Sequence, residues 1–215
     1  SNIFLVRDFD DIEMIGRTID DAVGEAYDKA ASILGLGFPG GPKVDKAARE
    51  GDEHTHVFPI SRLGRESLDF SFSGLKTSLL YTVRGKPKGR GRDATFERSH
   101  EDLNEQEINN LCASFQRAAI GAVRFKLERA MEQLKSGELA GGVPKTFLIG
   151  GGVSANSRMR SESTEFAERH GLALTLPPMA YCTDNAAMIA GLADRRLMLQ
   201  EFDELSLSPS PAGAY

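Results

Sequence analysis

The 215-residue chain is 40% hydrophobic and 27% charged, the proportions of a soluble globular protein with room for one large domain or two small ones. Its net charge of −5 excludes a protein that grips nucleic acid by bulk electrostatics, while leaving room for a local basic patch. Two cysteines, Cys112 and Cys182, exclude a disulfide framework and a cysteine-based zinc site, and the longest apolar run, Ala186–Ala193, is far short of the ~20 residues a membrane helix needs. Strand-like alternation at the start, in place of a charged-then-apolar leader, sets the expectation of a cytoplasmic protein with reduced thiols and no membrane.

Ile3–Arg7 and Ile12–Thr18 read as two short strands of a hairpin around the acidic turn Asp8–Asp11. From Asp20 the period becomes helical, with Val23, Tyr27, Ala30 and Leu34 on one stripe and Gly35 or Gly37 as the stop. Pro39-Gly40-Gly41-Pro42 reads as a rigid turn, with Pro42 opening a second helix through about Arg49. A third helix is expected from about Leu75 to Val83.

The segment 84–107 differs in kind. Five basic residues stand between Arg84 and Arg92 without an acid, then six carboxylates and one arginine between Asp93 and Glu107, which predicts an exposed, mobile insertion. A long helix follows from about Ile108 to Leu134, its wide apolar stripe including Leu111, Phe115 and Ala119. Lys145–Ile149 is a buried-strand pattern that runs into Gly150-Gly151-Gly152, then come a helix (155–170), a strand (172–176), and an apolar helix through about Leu199. Thr183 or Asp184 is the expected cap of that last helix, and the Ser/Pro-rich tail 206–215 is expected to fray. Strands alternating with helices give an α/β fold, a mixed sheet covered by helices.

The strand–Gly-Gly-Gly–helix turn is the strongest general signal. Such a turn lets backbone approach a flat or anionic ligand, and the helix after it aims its amides and positive dipole end there. Its spacing matches neither a dinucleotide fingerprint nor a Walker A loop, so a nucleotide-like ligand and a plain tight crossover both remain open. Asn156, one donor and one acceptor, is either a ligand contact or a local cap. Asp21, Glu25 and Asp28 fall on one helix face, ordinarily a solvated row, yet Gly24 among them weakens the helix unless something must approach closely. Asp45 reads equally as an exposed helix carboxylate. Asp184 is a cap or a single oxygen ligand, and neither His54, His56 nor His100 forms a His-x-x-x-His pair, so the chain holds no self-evident metal site. No nucleophile elbow or Ser/His/Asp order appears.

Five segments taken together resemble one family. They are Thr18–Lys29, Phe38-Pro-Gly-Gly-Pro42, Asp69-Phe-Ser-Phe-Ser-Gly-Leu-Lys76, Gly150-Gly-Gly-Val-Ser-Ala-Asn156 and Pro177–Met188 with its Cys-Thr-Asp-Asn-Ala-Ala-Met. They look like the TsaD family of tRNA threonylcarbamoyladenosine synthases, formerly called O-sialoglycoprotein endopeptidases. The resemblance implies an actin-like, sugar-kinase-like ATPase fold of two lobes around a nucleotide. It implies transfer of threonylcarbamoyl from threonylcarbamoyl-adenylate to the adenosine beside the tRNA anticodon. By the same resemblance Asp28, Gly41, Asp45 and Asn156 fall at substrate-binding positions, Gly150, Gly151 and Gly152 line the ATP-like or adenylate pocket, and Asp184 is a ligand of one divalent iron or zinc ion.

The family's first lobe, with its His-x-x-x-His pair and phosphate loop, has no counterpart in these residues, so the chain reads as a C-terminal lobe that is inactive alone. Implied partners are tRNA, threonylcarbamoyl-adenylate, other subunits of the threonylcarbamoyladenosine machinery, and a second copy of the isolated lobe as a homo-dimer. Two alternatives stand beside this reading: a non-catalytic actin-like interaction module, and an actin-like small-molecule kinase.

Overall fold

The computed structural model describes residues 1–64, 66–89 and 95–208. In chain order the elements are β1 (Asn2–Val6), β2 (Ile12–Arg17), α1 (Val23–Ile33), α2 (Gly40–Ala48), α3 (Ser73–Arg84), α4 (Glu105–Ser136), β3 (Thr146–Leu148), α5 (Ser157–His170), β4 (Ala173–Thr175) and α6 (Ala186–Met198). The class is α/β, as the alternation predicts. The expected single mixed sheet is not what the described residues form: β1 and β2 make an antiparallel pair and β3 and β4 a separate parallel pair. β3 and β4, three residues each, offer few backbone groups from which to extend a ladder.

The hairpin pairs Phe4 with Met14 and Val6 with Ile12. All four side chains are exposed, whereas Leu5 points the other way and is buried with Met131, Leu134 and Phe166. Beyond β2, Phe70 N donates to Arg17 O at 2.8 Å and Ile19 N to Phe70 O at 3.0 Å, which ties the Asp69–Lys76 motif to the hairpin. Asp20 then accepts from Ser71 Oγ (2.5 Å) and Phe72 N (2.8 Å) at the start of α3. Gly16 is needed there, since a Cβ would lie 2.5 Å from Leu68 O.

The core is helical. Tyr27, Leu34, Val44, Phe72, Leu79, Leu111, Phe115 and Ile120, from α1 to α4 and the residues that cap α1 and α3, form one buried cluster, and α4 packs against α2, α3 and α5. α4 is long because both ends are fixed: Asn104 and Glu107 form a reciprocal capping box, and Gly137 closes the helix in the left-handed region at φ 78°. One flank of α4 holds the backbone carbonyls of Arg62, Gly64, Glu66 and Ser67. Lys126 Nζ, fully buried, donates to Arg62 O (2.8 Å) and Ser67 O (2.7 Å), Arg129 to Gly64 O (2.9 Å) and Gln133 to Glu66 O (2.9 Å). Burial pushes the Lys126 ammonium pKa down, and its two carbonyl partners hold the charge in place.

Several boundaries differ from the sequence reading. Pro39, not Pro42, stands before α2, so both glycines of the expected turn are helical. The segment 84–107 begins and ends in helix, with Arg84 closing α3 and Glu105–Glu107 opening α4. A short turn His100–Asp102, capped by Ser99, precedes α4, and Lys88 bridges to Thr95 and pairs with Glu97 at 2.5 Å. Arg90 and Arg92 of the basic run lie outside the described residues, as do residues 209–215 of the tail. α6 is capped by Asn185, neither by Thr183 nor by Asp184, and has no buried residue.

Candidate functional site

Three short structures built by glycine and by helix starts meet on one side of the helical core. The Gly150–Gly152 turn leaves the carboxyl end of β3; Gly151 takes φ 81°, a conformation that suits glycine, and the turn passes through a single 3-10 turn, Gly152–Ala155, into α5. A Cβ placed at Gly150, Gly151 or Gly152 would meet nothing within 4 Å. Neighbouring protein therefore does not demand these glycines for packing, and bare backbone faces open space.

Asn156 caps α5. Its Oδ1 accepts from Met159 N at 2.9 Å while its Nδ2 donates to Gln116 Oε1 at 2.8 Å. The same Gln116 oxygen accepts from the Tyr27 hydroxyl at 3.2 Å, so α1, α4 and the start of α5 share one buried polar junction. Burial, reinforced by the nearby Asp45 charge, holds the Tyr27 hydroxyl well above the usual phenol range, so Tyr27 stays a neutral donor. Asn156 is thus a local cap, and its amide nitrogen also fixes that cap to the core.

Asp45 is the largest departure from its exposed reading. It is buried and receives Ser157 Oγ at 2.7 Å and Ser157 N at 3.3 Å, with Arg49 at 2.8 Å on its other oxygen. Ser157 is the first residue of α5, so a carboxylate of α2 lies at the positive end of α5. Asp28 plays the corresponding part at α2, where its Oδ1 accepts from Gly40 N at 2.8 Å. Gly40 is a packing glycine, since a Cβ would lie 2.6 Å from Asp28 Cα, but Gly41 beside it faces nothing within 4 Å.

The acidic row expected on α1 divides. Asp21 lies before the helix and binds Lys29 (2.5 Å) and Lys76 (2.9 Å), which hold its carboxyl below the usual range. Glu25 pairs with Lys29 at 2.7 Å, and only Asp28 turns to the site. Gly24 faces Val153 of the turn at ordinary contact distance for an added Cβ, 3.5 Å, so the close approach expected there is real but not tight.

Sequence reasoning missed Arg160, Ser157 and Gln116. Nothing local signals them, because Gln116 and Ser157 act on partners 40 and 112 residues away. Arg158, beside Ser157, pairs with Glu53 and with Glu162 (2.9 Å), and Glu53 is held below the usual carboxylate range chiefly by that guanidinium.

Asp184 is exposed, in the loop before α6. Among the described residues, no group of three or more His, Cys, Asp or Glu side chains could hold a metal ion. His54 lies against Arg117 (3.1 Å), and His100 packs on Gly35. One carboxylate does not make a metal site, so the residues present do not fit a resident ion by themselves and no chemical step runs through one here. A cleft of about 210 Å³ lies elsewhere, against Met14, Ile15, Gly16, Arg17 and Asp69.

The family described as tRNA N6-adenosine threonylcarbamoyltransferase, TsaD, matches over residues 1–191. Proteins of that name are similar to this chain: in Bdellovibrio bacteriovorus at 37% identity over 98% of this chain and 55% of the relative, in Thermosipho africanus at 40% over 88% and 51%, and in Brucella ovis at 38% over 97% and 54%. The chain spans about half the length of the curated relatives it matches.

Proposed function

The chain belongs to the TsaD family of tRNA N6-adenosine threonylcarbamoyltransferases, and from that premise we propose that it is one lobe, the C-terminal one, of an actin-like enzyme that modifies tRNA. In the proposed reaction the exocyclic amine of the adenosine beside the anticodon attacks the carbamoyl carbon of threonylcarbamoyl-adenylate. A C–N bond forms, the C–O bond to the phosphate breaks, AMP leaves, and the amine gives up one proton.

This lobe's part is to hold and orient. The open Gly150–Gly152 turn lies along the adenosine moiety, and the Gly41 amide, second in α2, faces the anionic portion of the adenylate, while the Ser157 amide that starts α5 is taken by Asp45. Asp45 and Asp28 fix those helix starts, and Asn156 fixes α5 to the core. Asp184 contributes one ligand to an iron or zinc ion whose other donors lie outside these residues, so the lobe alone is inactive and binds metal poorly. Such an ion would supply Lewis-acid polarisation when bound. The exposed apolar face of the hairpin, Phe4, Val6, Ile12 and Met14, supports association of the isolated lobe with itself or with other subunits of the modification machinery. A cytoplasmic location accompanies this reading, and no helix among the described residues is long and apolar enough to cross a membrane.

The open glycine turn running into a capped helix carries the proposal. Its test is to incubate the chain with threonylcarbamoyl-adenylate and tRNA, alone and with the N-terminal half of the Thermosipho africanus relative, and digest the tRNA for mass spectrometry. Modified adenosine is expected only in the mixture, and is expected to disappear with Asp28→Ala. ADP formed from ATP and a small-molecule acceptor, without modified adenosine, would favour the kinase alternative.

A further inference from the structure

Two loops of this site leave neighbouring strands at the same end. β3 runs on into Gly150 and β4 into Pro177; the strands are parallel, with Leu148 opposite Thr175, and Ile149 N donates to Thr175 O at 3.3 Å. Paired loops at the carboxyl ends of parallel strands form the crevice in which α/β proteins place ligands. Each strand is only three residues long, so the ladder holds the loops together at their roots and no further.

Farther out, one side chain joins them. From the first turn of α5, Arg160 Nη1 donates to Ser154 O at 2.7 Å and Nη2 donates to Pro177 O at 3.1 Å. Ser154 is itself folded onto the glycine turn, its N and Oγ donating to Gly151 O at 2.9 and 2.7 Å. On the other side, Arg160 Nη1 lies 3.9 Å from the sulfur of buried Cys182, which turns toward the carbonyls of Pro177 and Pro178. A guanidinium is a rigid planar fork, so two carbonyls bound to its two ends are held at a separation that its own covalent width sets. Among the described residues no carboxylate pairs with this fork, whereas Arg158, two residues earlier, is taken up by Glu53 and Glu162.

We propose that Arg160 is a positioning residue that ties the Gly150–Gly152 turn to the Pro177–Asn185 loop and so keeps the two sides of the crevice in register. Its effect on transfer rests on the function proposed above; its effect on the loops does not. Loss of the tie leaves each loop able to bind its own part of the substrate but lets their relative placement wander. Small misplacements of reacting groups lower the rate of the chemical step more than they weaken binding.

The experiment compares the parent chain with Arg160→Ala and Arg160→Lys by hydrogen exchange and mass spectrometry. In Arg160→Ala the amides of Gly151–Asn156 and of Met179–Asn185 exchange faster by about tenfold or more, with the hairpin and α4 at parental rates. Arg160→Lys, with one ammonium for two carbonyls, lies between them, and millimolar guanidinium slows the alanine variant back toward the parent. In the assembled transfer assay Arg160→Ala lowers kcat by about 10–100-fold while KM for threonylcarbamoyl-adenylate stays within about threefold. Unchanged exchange in both loops overturns the proposal, and so does faster exchange everywhere, which would make Arg160 a contributor to global stability alone. If both loops loosen while the parent makes no modified adenosine, the tie stands and the function proposed above fails.

Discussion

α5 and α6 begin alike and end differently. Each follows a loop, each is capped by an asparagine whose Oδ1 accepts from the amide three residues on, Asn156 from Met159 at 2.9 Å and Asn185 from Met188 at 3.3 Å. Yet α5 buries Met159, Ser163, Phe166 and Ala167, and its cap is bonded sideways to Gln116, while α6 buries nothing, and the second amide bond of its cap goes only to Thr183 O two residues away. Local chemistry starts a helix; a partner from elsewhere in the chain anchors it. The candidate site spans the boundary between these regimes, with the glycine turn and Asn156 on the anchored side and Asp184 on the other.

The sharpest way to break that contrast is through the apolar faces. Phe166→Ala, on the buried face of α5, is expected to cost about 3–5 kcal/mol in urea unfolding. Leu192→Ala, on the exposed face of α6, is expected to change stability by no more than about 0.5 kcal/mol. Equal losses would mean that α6 is packed as firmly as the core.

The caps give a smaller version of the same comparison. Asn156→Ala removes a cap and strips the Gln116 oxygen of one donor in a buried setting, an expected loss of about 1–3 kcal/mol. Asn185→Ala removes only a cap, with at most about 1 kcal/mol expected. Paired thermal melts distinguish them, and matching values would remove the anchoring role assigned to Gln116.

A still smaller effect is expected with pH. Lys29 and Lys76 hold Asp21 below the usual carboxylate pKa, so its contribution is complete above the unfolded value of about 3.9 and is lost as pH falls through the folded one. The parent is therefore expected to lose more stability than Asp21→Asn between pH 5 and pH 2. Parallel stability curves for the two proteins would show that these pairs contribute nothing.

The same division decides what the sequence could disclose. The hairpin, the helices and the glycine turn follow from periodicity and turn chemistry within a few residues, and the structure places them within a few residues of expectation. Thr183-Asp184-Asn185 offers three capping residues in a row, so composition cannot choose among them; the extended backbone at Asn185, φ −154° and ψ 156°, does. In the segment 84–107 the charge pattern drew attention from a readable signal, since Ser99-x-x-Asp102 and Asn104-x-x-Glu107 are both capping boxes. Asp45 had no such signal: its partner Ser157 is 112 residues away, and only the folded chain brings them together. The failure of β1–β2 and β3–β4 to join in one sheet is likewise a matter of tertiary placement, which strand alternation does not encode.

The proposed nucleotide-facing surface of this chain is the glycine turn, with the helix starts that Asp28, Asp45 and Asn156 hold in place. Titrating the isotope-labelled chain with AMP and following its backbone amides by NMR tests it most directly. Concentration-dependent shifts at Gly150, Gly151, Gly152 and Gly41, with the hairpin amides unmoved, are the expected result. Amides of the turn and of Gly41 that stay fixed at millimolar AMP, or shifts confined to the cleft at Met14–Arg17, would contradict it.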